Sequence, residues 1–136
     1  LARVNVKEAQ FALGDIAKLP FRGEVFDAIC SFYAIIHVPR AEHVKLLTDF
    51  HRVLKPCGLV LLCLGAGDLP DNTGNFLGAS MFWSHFDCET NLRILKRIGI
   101  DILWSGVVKD PVDVDASHLF VLGQKARTDK RMTTKR

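Results

Sequence analysis

Two apolar runs, Phe26 to Val38 and Leu59 to Leu64, flank a stretch in which Val44, Leu47, Phe50 and Leu54 recur at helical spacing. That order reads as strand, crossover helix, parallel strand. The first run is almost continuously apolar, as a strand covered by helices on both sides must be, whereas a half-solvated strand would alternate. A buried, parallel sheet is the expectation. Ligands of open sheets sit beyond the carboxyl ends of the strands, which places Asp15 and the segment Ser31-Phe32-Tyr33 at a common rim.

Bulk properties narrow the class. With 136 residues the chain has room for one domain. It opens on Leu1 and its first methionine is Met81, so Leu1 does not read as a translation start. The apolar runs are too short to span a bilayer, so a soluble, membrane-free protein is expected. From Gln124 onward, six Lys or Arg face one Asp, which leaves residues 1 to 123 at −2 against a whole-chain charge of +3. No basic stripe marks the globular part, and nucleic acid is not an expected partner. Residues 126 to 136 read as a basic, solvated tail. The four cysteines, Cys30, Cys57, Cys63 and Cys88, form no C-x-x-C pair. Neither zinc nor a disulfide framework is expected, and free thiols in apolar strands suit a reducing cytoplasm.

Along the chain, Leu1 to Glu8 reads as the end of a helix, Gln10 to Gly14 as a short strand, and Lys18 to Gly23 as a loop. Pro39 suits the first turn of the crossover helix, and Lys55-Pro56-Cys57-Gly58 ends it. Gly65 to Phe86 has no periodicity and reads as a long loop, lid-like at the ligand rim. Asp87 caps a helix bearing Leu92, Leu95 and Ile98 and stopped by Gly99. Ile100 to Val108 and His118 to Gly123 read as strands joined by a short link, the second running antiparallel.

Four motifs follow one another at ordinary spacing: Gly14-Asp15-Ile16 with Leu19-Pro20-Phe21, Phe26-Asp27-Ala28-Ile29, His37-Val38-Pro39-Arg40, and Arg52-Val53-Leu54-Lys55-Pro56-x-Gly58. In this order they resemble the class I S-adenosylmethionine-dependent methyltransferases over about residues 1 to 125. The resemblance implies a Rossmann-like α/β fold, doubly wound, mostly parallel with one antiparallel strand. It also implies the cofactor S-adenosyl-L-methionine and a small-molecule methyl acceptor. By it, Asp15 accepts from the adenine amino group, Ile16 lies against the ring, and Ser31, Phe32 and Tyr33 line the methionine moiety. An Asx turn is the alternative role for Asp15. His37 is a candidate base beside the reacting methyl, or a histidine satisfied by local backbone. Trp83 and His85 are candidates for substrate contact, with anchoring of the loop the alternative for Trp83.

The family's first motif, a glycine-rich turn after the first strand, is absent, as is the second strand with its ribose-binding carboxylate. Gly65-Ala66-Gly67-Asp68 does not replace it, because Pro70 follows and no helix does. The chain therefore reads as an N-terminally truncated domain, lacking strands between Gln10–Gly14 and Phe26–Tyr33. Such a chain is expected to be inactive alone and to self-associate through exposed strand edges. A non-catalytic remnant serving as an interaction module is the alternative. Cys57 stands where the family's turn has glycine, at a position expected to need a positive φ.

Overall fold

The computed structural model describes residues 2–113 and 115–127. After a single turn of helix, α1 (Ala2–Asn5), the chain runs without regular structure to β1 (Phe26–Ser31). There follow α2 (His43–Val53), β2 (Leu54–Gly65), β3 (Leu69–Phe76), β4 (Ala79–His85), α3 (Cys88–Arg97), β5 (Ile100–Lys109) and β6 (Ser117–Lys125). Four strands form one sheet in the order β1-β2-β6-β5, while β3 and β4 pair as a separate hairpin.

β1 and β2 are parallel, with Ile29 opposite Val60 and Ser31 opposite Leu62. The crossover through α2 requires this, since parallel neighbours cannot be joined by a tight turn. β6 runs antiparallel to both β2 and β5, so it is the one reversed strand of an otherwise parallel sheet. The Lys55–Gly58 turn is looped out of β2, because Phe26 faces Leu54 and Ala28 already faces Leu59. Cys57 adopts φ +64° there, the positive angle expected from the sequence. A side chain at Gly58 would lie 2.8 Å from the Lys55 carbonyl oxygen, so this turn admits glycine alone at that place.

The core lies on one face of the sheet. Leu46, Leu47 and Phe50 of α2 and Ile94 and Leu95 of α3 pack onto Val60, Leu62 and Leu64 of β2 and Leu119 and Val121 of β6. Asp87 caps α3 by accepting from the Thr90 amide at 2.7 Å, and Gly99, at φ +91°, ends it as expected. On the opposite face the pattern differs from the sequence reading. β1 is largely exposed, Cys30 is exposed, and Phe32 and Trp104 are 48% and 52% exposed. The reason is that α2 and α3 both cover the same face, and β1 has a paired neighbour on one side only among the described residues. Cys63, in contrast, is fully buried.

Three further expectations change. Gln10 to Gly14 forms no strand, because no neighbouring strand offers it a ladder of hydrogen bonds. The apolar run after Ser31 leaves the sheet at Tyr33, φ +50°, and buries Ile35 and Ile36 in a short 3-10 turn, Ile35–His37. Pro39 stays extended ahead of a second such turn, Arg40–Glu42, and α2 begins at His43. The basic tail lies, from residue 128, outside the described residues.

One-sided burial predicts unequal mutational costs along β2. Leu62, 0% exposed, should lose about 2 to 5 kcal/mol on truncation to Ala, the range for a buried leucine that leaves a cavity. Leu59, 38% exposed on the uncovered face, should lose no more than about 1 kcal/mol on the same change. Urea unfolding midpoints of the two variants measure the difference.

Candidate active site

Parallel pairing brings the carboxyl ends of β1 and β2, Ser31 and Gly65, to one rim of the sheet. Beside β1 lies a cavity of about 460 Å³ lined by Ile16, Leu19, Ser31, Phe32 and Phe50, among others. The Ser31 hydroxyl is buried in its wall and has no hydrogen-bond partner. Three of the residues singled out in the sequence, Ile16, Ser31 and Phe32, thus share one cavity. Asp15 next to Ile16 is exposed, and its Oδ1 accepts from the Ala17 amide at 2.9 Å. That is the Asx-turn role, and it leaves Oδ2 outward. Tyr33 stands 41% exposed, its phenol pKa raised by desolvation and then by Cys63 and Asp110.

His37 and Trp83 meet across elements, with ring centroids 6.2 Å apart. The His37 Nδ1–H donates to the Phe82 carbonyl at 2.7 Å, since a carbonyl can only accept. This assigns the proton to Nδ1 and leaves Nε2 with its lone pair. Trp83 also packs edge-on against Phe76 at 6.0 Å, so it anchors the hairpin from within. His85 donates from Nδ1 to the Gly67 carbonyl, and its ring occupies the space that a side chain on Gly65 would need. Gly65 is therefore fixed by close approach rather than by backbone angle.

The segment read as a loop is a hairpin. Leu77 and Gly78, at φ +51° and +87°, form its two-residue turn, and both angles lie where a type I′ turn needs them. It is clamped rather than free. The Arg40 amide donates to the Ser84 hydroxyl at 2.9 Å, which in turn donates to Asp71 at 2.7 Å. Arg40 also pairs with Asp68 at 2.7 Å while its guanidinium lies over the Phe86 ring. Asn91, 1% exposed, donates to the carbonyls of Gly65 and Phe86 and ties α3 to the same rim.

Sequence reasoning missed His43. It is buried at the start of α2, and its Nε2–H donates to the Val38 carbonyl at 2.8 Å. Burial lowers its pKa, so the folded protein holds it neutral. Also missed was the contact of His118 with Asp110. Among the described residues no group of three or more His, Cys, Asp or Glu side chains is placed to hold a metal ion. No described helix is long and apolar enough to cross a membrane.

A histidine with a lowered folded pKa gives a definite sign to the pH dependence. The unfolded chain binds the proton more readily, so stability is full above the unfolded value of about 6.5 and falls as pH drops through it. His51, lowered by burial and by Lys125, adds in the same direction. Urea midpoints should therefore fall below pH 6.5, and His43→Gln should flatten that slope without abolishing it.

A family model described as a methyltransferase domain matches residues 1–62. An uncharacterized methyltransferase of Synechocystis sp. is 29% identical over 97 residues, spanning 70% of this chain and 44% of its own length. The chain thus covers less than half of that relative. A S-adenosylmethionine-dependent methyltransferase of Methanosarcina mazei superimposes with a TM-score of 0.75 at 18% identity, covering 88% of this chain and 68% of that one. The 1,6-didemethyltoxoflavin-N1-methyltransferase of Burkholderia thailandensis, solved with its namesake compound and S-adenosylhomocysteine, gives a TM-score of 0.66 at 16% identity, over 86% and 51% of the two chains. The strand order, the ordered motifs and the family model over residues 1–62 thus agree in likening this chain to the class I S-adenosylmethionine-dependent methyltransferases, whose fold it shares.

Proposed function

We propose that this chain supplies one wall of the site of an enzyme that moves a methyl group from S-adenosyl-L-methionine to a small-molecule acceptor. The observation that carries the proposal is the cavity beside β1, apolar except for the partnerless Ser31 hydroxyl. An apolar slot with one convergent polar group suits a flat heterocycle bearing polar substituents. Ile16 would lie against the adenine, Asp15 would accept from its amino group through Oδ2, and Ser31, Phe32 and Tyr33 would line the methionine portion. Among the described residues no glycine-rich turn leads from a strand into a helix, and no strand carries a carboxylate placed for the ribose. The fit is therefore to the adenine and methionine side of the cofactor alone.

Bound there, the cofactor supplies an electrophilic methyl carbon on a sulfonium. The chain's own part is to align the acceptor with it and keep water out, which is most of what such a transfer requires. His37, with its Nε2 lone pair, and Trp83 and His85 on the clamped hairpin would face the acceptor. The small-molecule class is supported by the Burkholderia thailandensis neighbour, which was solved with such a compound.

With only one wall present, affinity should be weak, in the millimolar range or about 4 kcal/mol of binding free energy. S-Adenosylhomocysteine titrated into the ¹⁵N-labelled chain should shift the amides of Asp15 to Ala17 and Ser31 to Tyr33. Asp15→Ala should weaken that response by about tenfold, the effect of losing a hydrogen bond to a charged acceptor. Shifts scattered elsewhere, or none, would refute the site. Turnover by the 136-residue chain itself would show that one wall suffices.

The exposed edge of β1 favours a second, compatible reading in which the chain associates with copies of itself. Sedimentation should show mass increasing with concentration. A Lys at Cys30, on the exposed part of that edge strand, should suppress the increase. A monomer at every concentration would dismiss this reading.

A further inference from the structure

One stripe of α2, Leu46, Leu47, Phe50 and Val53, is buried. Lys45, Thr48, Asp49 and Arg52 stand at the i, i+3, i+4 and i+7 places of another side of the same helix. Alongside that side runs the segment Ala17 to Leu19, and the two enclose a cavity of about 470 Å³, distinct from the one beside β1. Arg52 fastens the two sides together. It donates from Nε to Asp49 Oδ1 at 2.5 Å and from Nη1 to the Phe21 carbonyl at 2.7 Å, so its guanidinium is committed. The Thr48 hydroxyl is committed too, donating to the Val44 carbonyl of its own helix at 2.7 Å.

Lys18 and Lys45 line the same cavity, and both are exposed. Neither pairs with a carboxylate among the described residues. With Asp49 cancelled by Arg52, two uncompensated ammonium groups converge on one space. Like charges there repel, and an anion between them removes that cost. A lysine is a compact point charge suited to phosphate, whereas bidentate capture of a carboxylate belongs to the arginine fork, which here is taken. A phosphate monoester carries close to two negative charges at neutral pH, which matches the two lysines. Ala17 and Leu19 give the cavity an apolar side for the body that bears the phosphate, and its volume is that of a small-molecule site.

We infer that this cavity binds a small phosphate monoester with an apolar body, and that its occupant steadies one wall of the cavity beside β1. The two cavities share Leu19. Next to it the chain makes one turn, closed by the Lys18 amide donating to the Asp15 carbonyl at 3.0 Å and by the Ala17 amide donating to Asp15 Oδ1. Ile16 of that turn lines the cavity beside β1, while Ala17 and Lys18 line the cationic one. Holding one side of the turn therefore restricts the other. A ligand that orders the turn lowers the entropy a second ligand must lose there, and the coupling is equal in both directions. The coupling rests on the cofactor reading above, whereas occupancy of the cationic cavity does not.

Phenyl phosphate is the probe, with inorganic phosphate and phenol supplying its two halves. Titrated into the ¹⁵N-labelled 136-residue chain, it should shift the amides of Ala17 to Leu19 and Lys45 to Arg52 saturably and bind more tightly than either half. Lys18→Met and Lys45→Met, both at exposed positions, should each weaken it about fivefold, and concentrated NaCl should weaken it in the parent chain. Unchanged affinity in both variants would overturn the inference, as would phenol or inorganic phosphate binding as well as the whole probe. Binding to phosphatidic acid vesicles without binding to phenyl phosphate would assign the lysines to a lipid surface and overturn it too. Saturating phenyl phosphate should tighten S-adenosylhomocysteine binding about fivefold, and Lys45→Met should abolish that gain without changing the affinity for S-adenosylhomocysteine alone. Phenyl phosphate shifts with no S-adenosylhomocysteine response would sink the cofactor reading and the coupling while the phosphate site stands. The reverse pattern would sink the phosphate site alone.

Discussion

The parallel pairing of β1 with β2 is the constraint on which the rest depends. It obliges the chain to cross over through α2, and the crossover buries Leu46, Leu47 and Phe50 against Val60, Leu62 and Leu64. It also makes both strands end on the same side, at Ser31 and Gly65. The reversed strand β6 then begins at that side, which carries His118 to Gly65. The shared rim is thus a consequence of strand direction, and in open α/β sheets generally that rim is where ligands bind.

Burial on one face gives the molecule two unlike surfaces. The face under α2 and α3 is a packed core with Leu62 and Val121 at zero exposure. The other presents Phe32, Leu59 and Trp104 to solvent, an apolar area of the kind that marks contact with something else. Nothing local in β1 predicts that exposure. Its residues are apolar because a strand of this type is built to be covered, and what is covered depends on the elements present around it.

Around the rim, polar contacts substitute for the missing hydrophobic ones. The hairpin β3–β4 fully buries Ser84 alone among its strand residues and could not hold its place by burial alone. It is fastened by His37 to Phe82, by Arg40 to Ser84 and Asp68, and by Ser84 to Asp71. Ser84 is completely buried in this arrangement, so its hydroxyl both accepts and donates, as a buried hydroxyl must. The same fastening explains why Pro39 and Arg40 depart from the helix: the Arg40 amide is engaged by Ser84 instead of by a preceding turn.

What the sequence by itself determined was the order and direction of the elements whose burial is periodic. α2, α3, β1, β2, β5 and β6 were legible because their apolar spacing, the Asp87 cap, and the turns at Cys57 and Gly99 are local signals. Of the residues lining the cavity, the sequence singled out Ile16, Ser31 and Phe32, whereas Asp15 and Tyr33 do not line it. Tertiary structure alone decided the rest. The β3–β4 hairpin carries Pro, Asp, Asn, Thr and Gly through its first strand, leaving no alternation to read. Gln10 to Gly14 had a strand's composition but no neighbour to pair with. His43, His118 and Asp110 gave no signal in sequence, because a histidine becomes buried, neutral or oriented only when another element supplies its carbonyl, its carboxylate and its cover. A spacing pattern records which face of a segment avoids water, and it does not record what that face will meet.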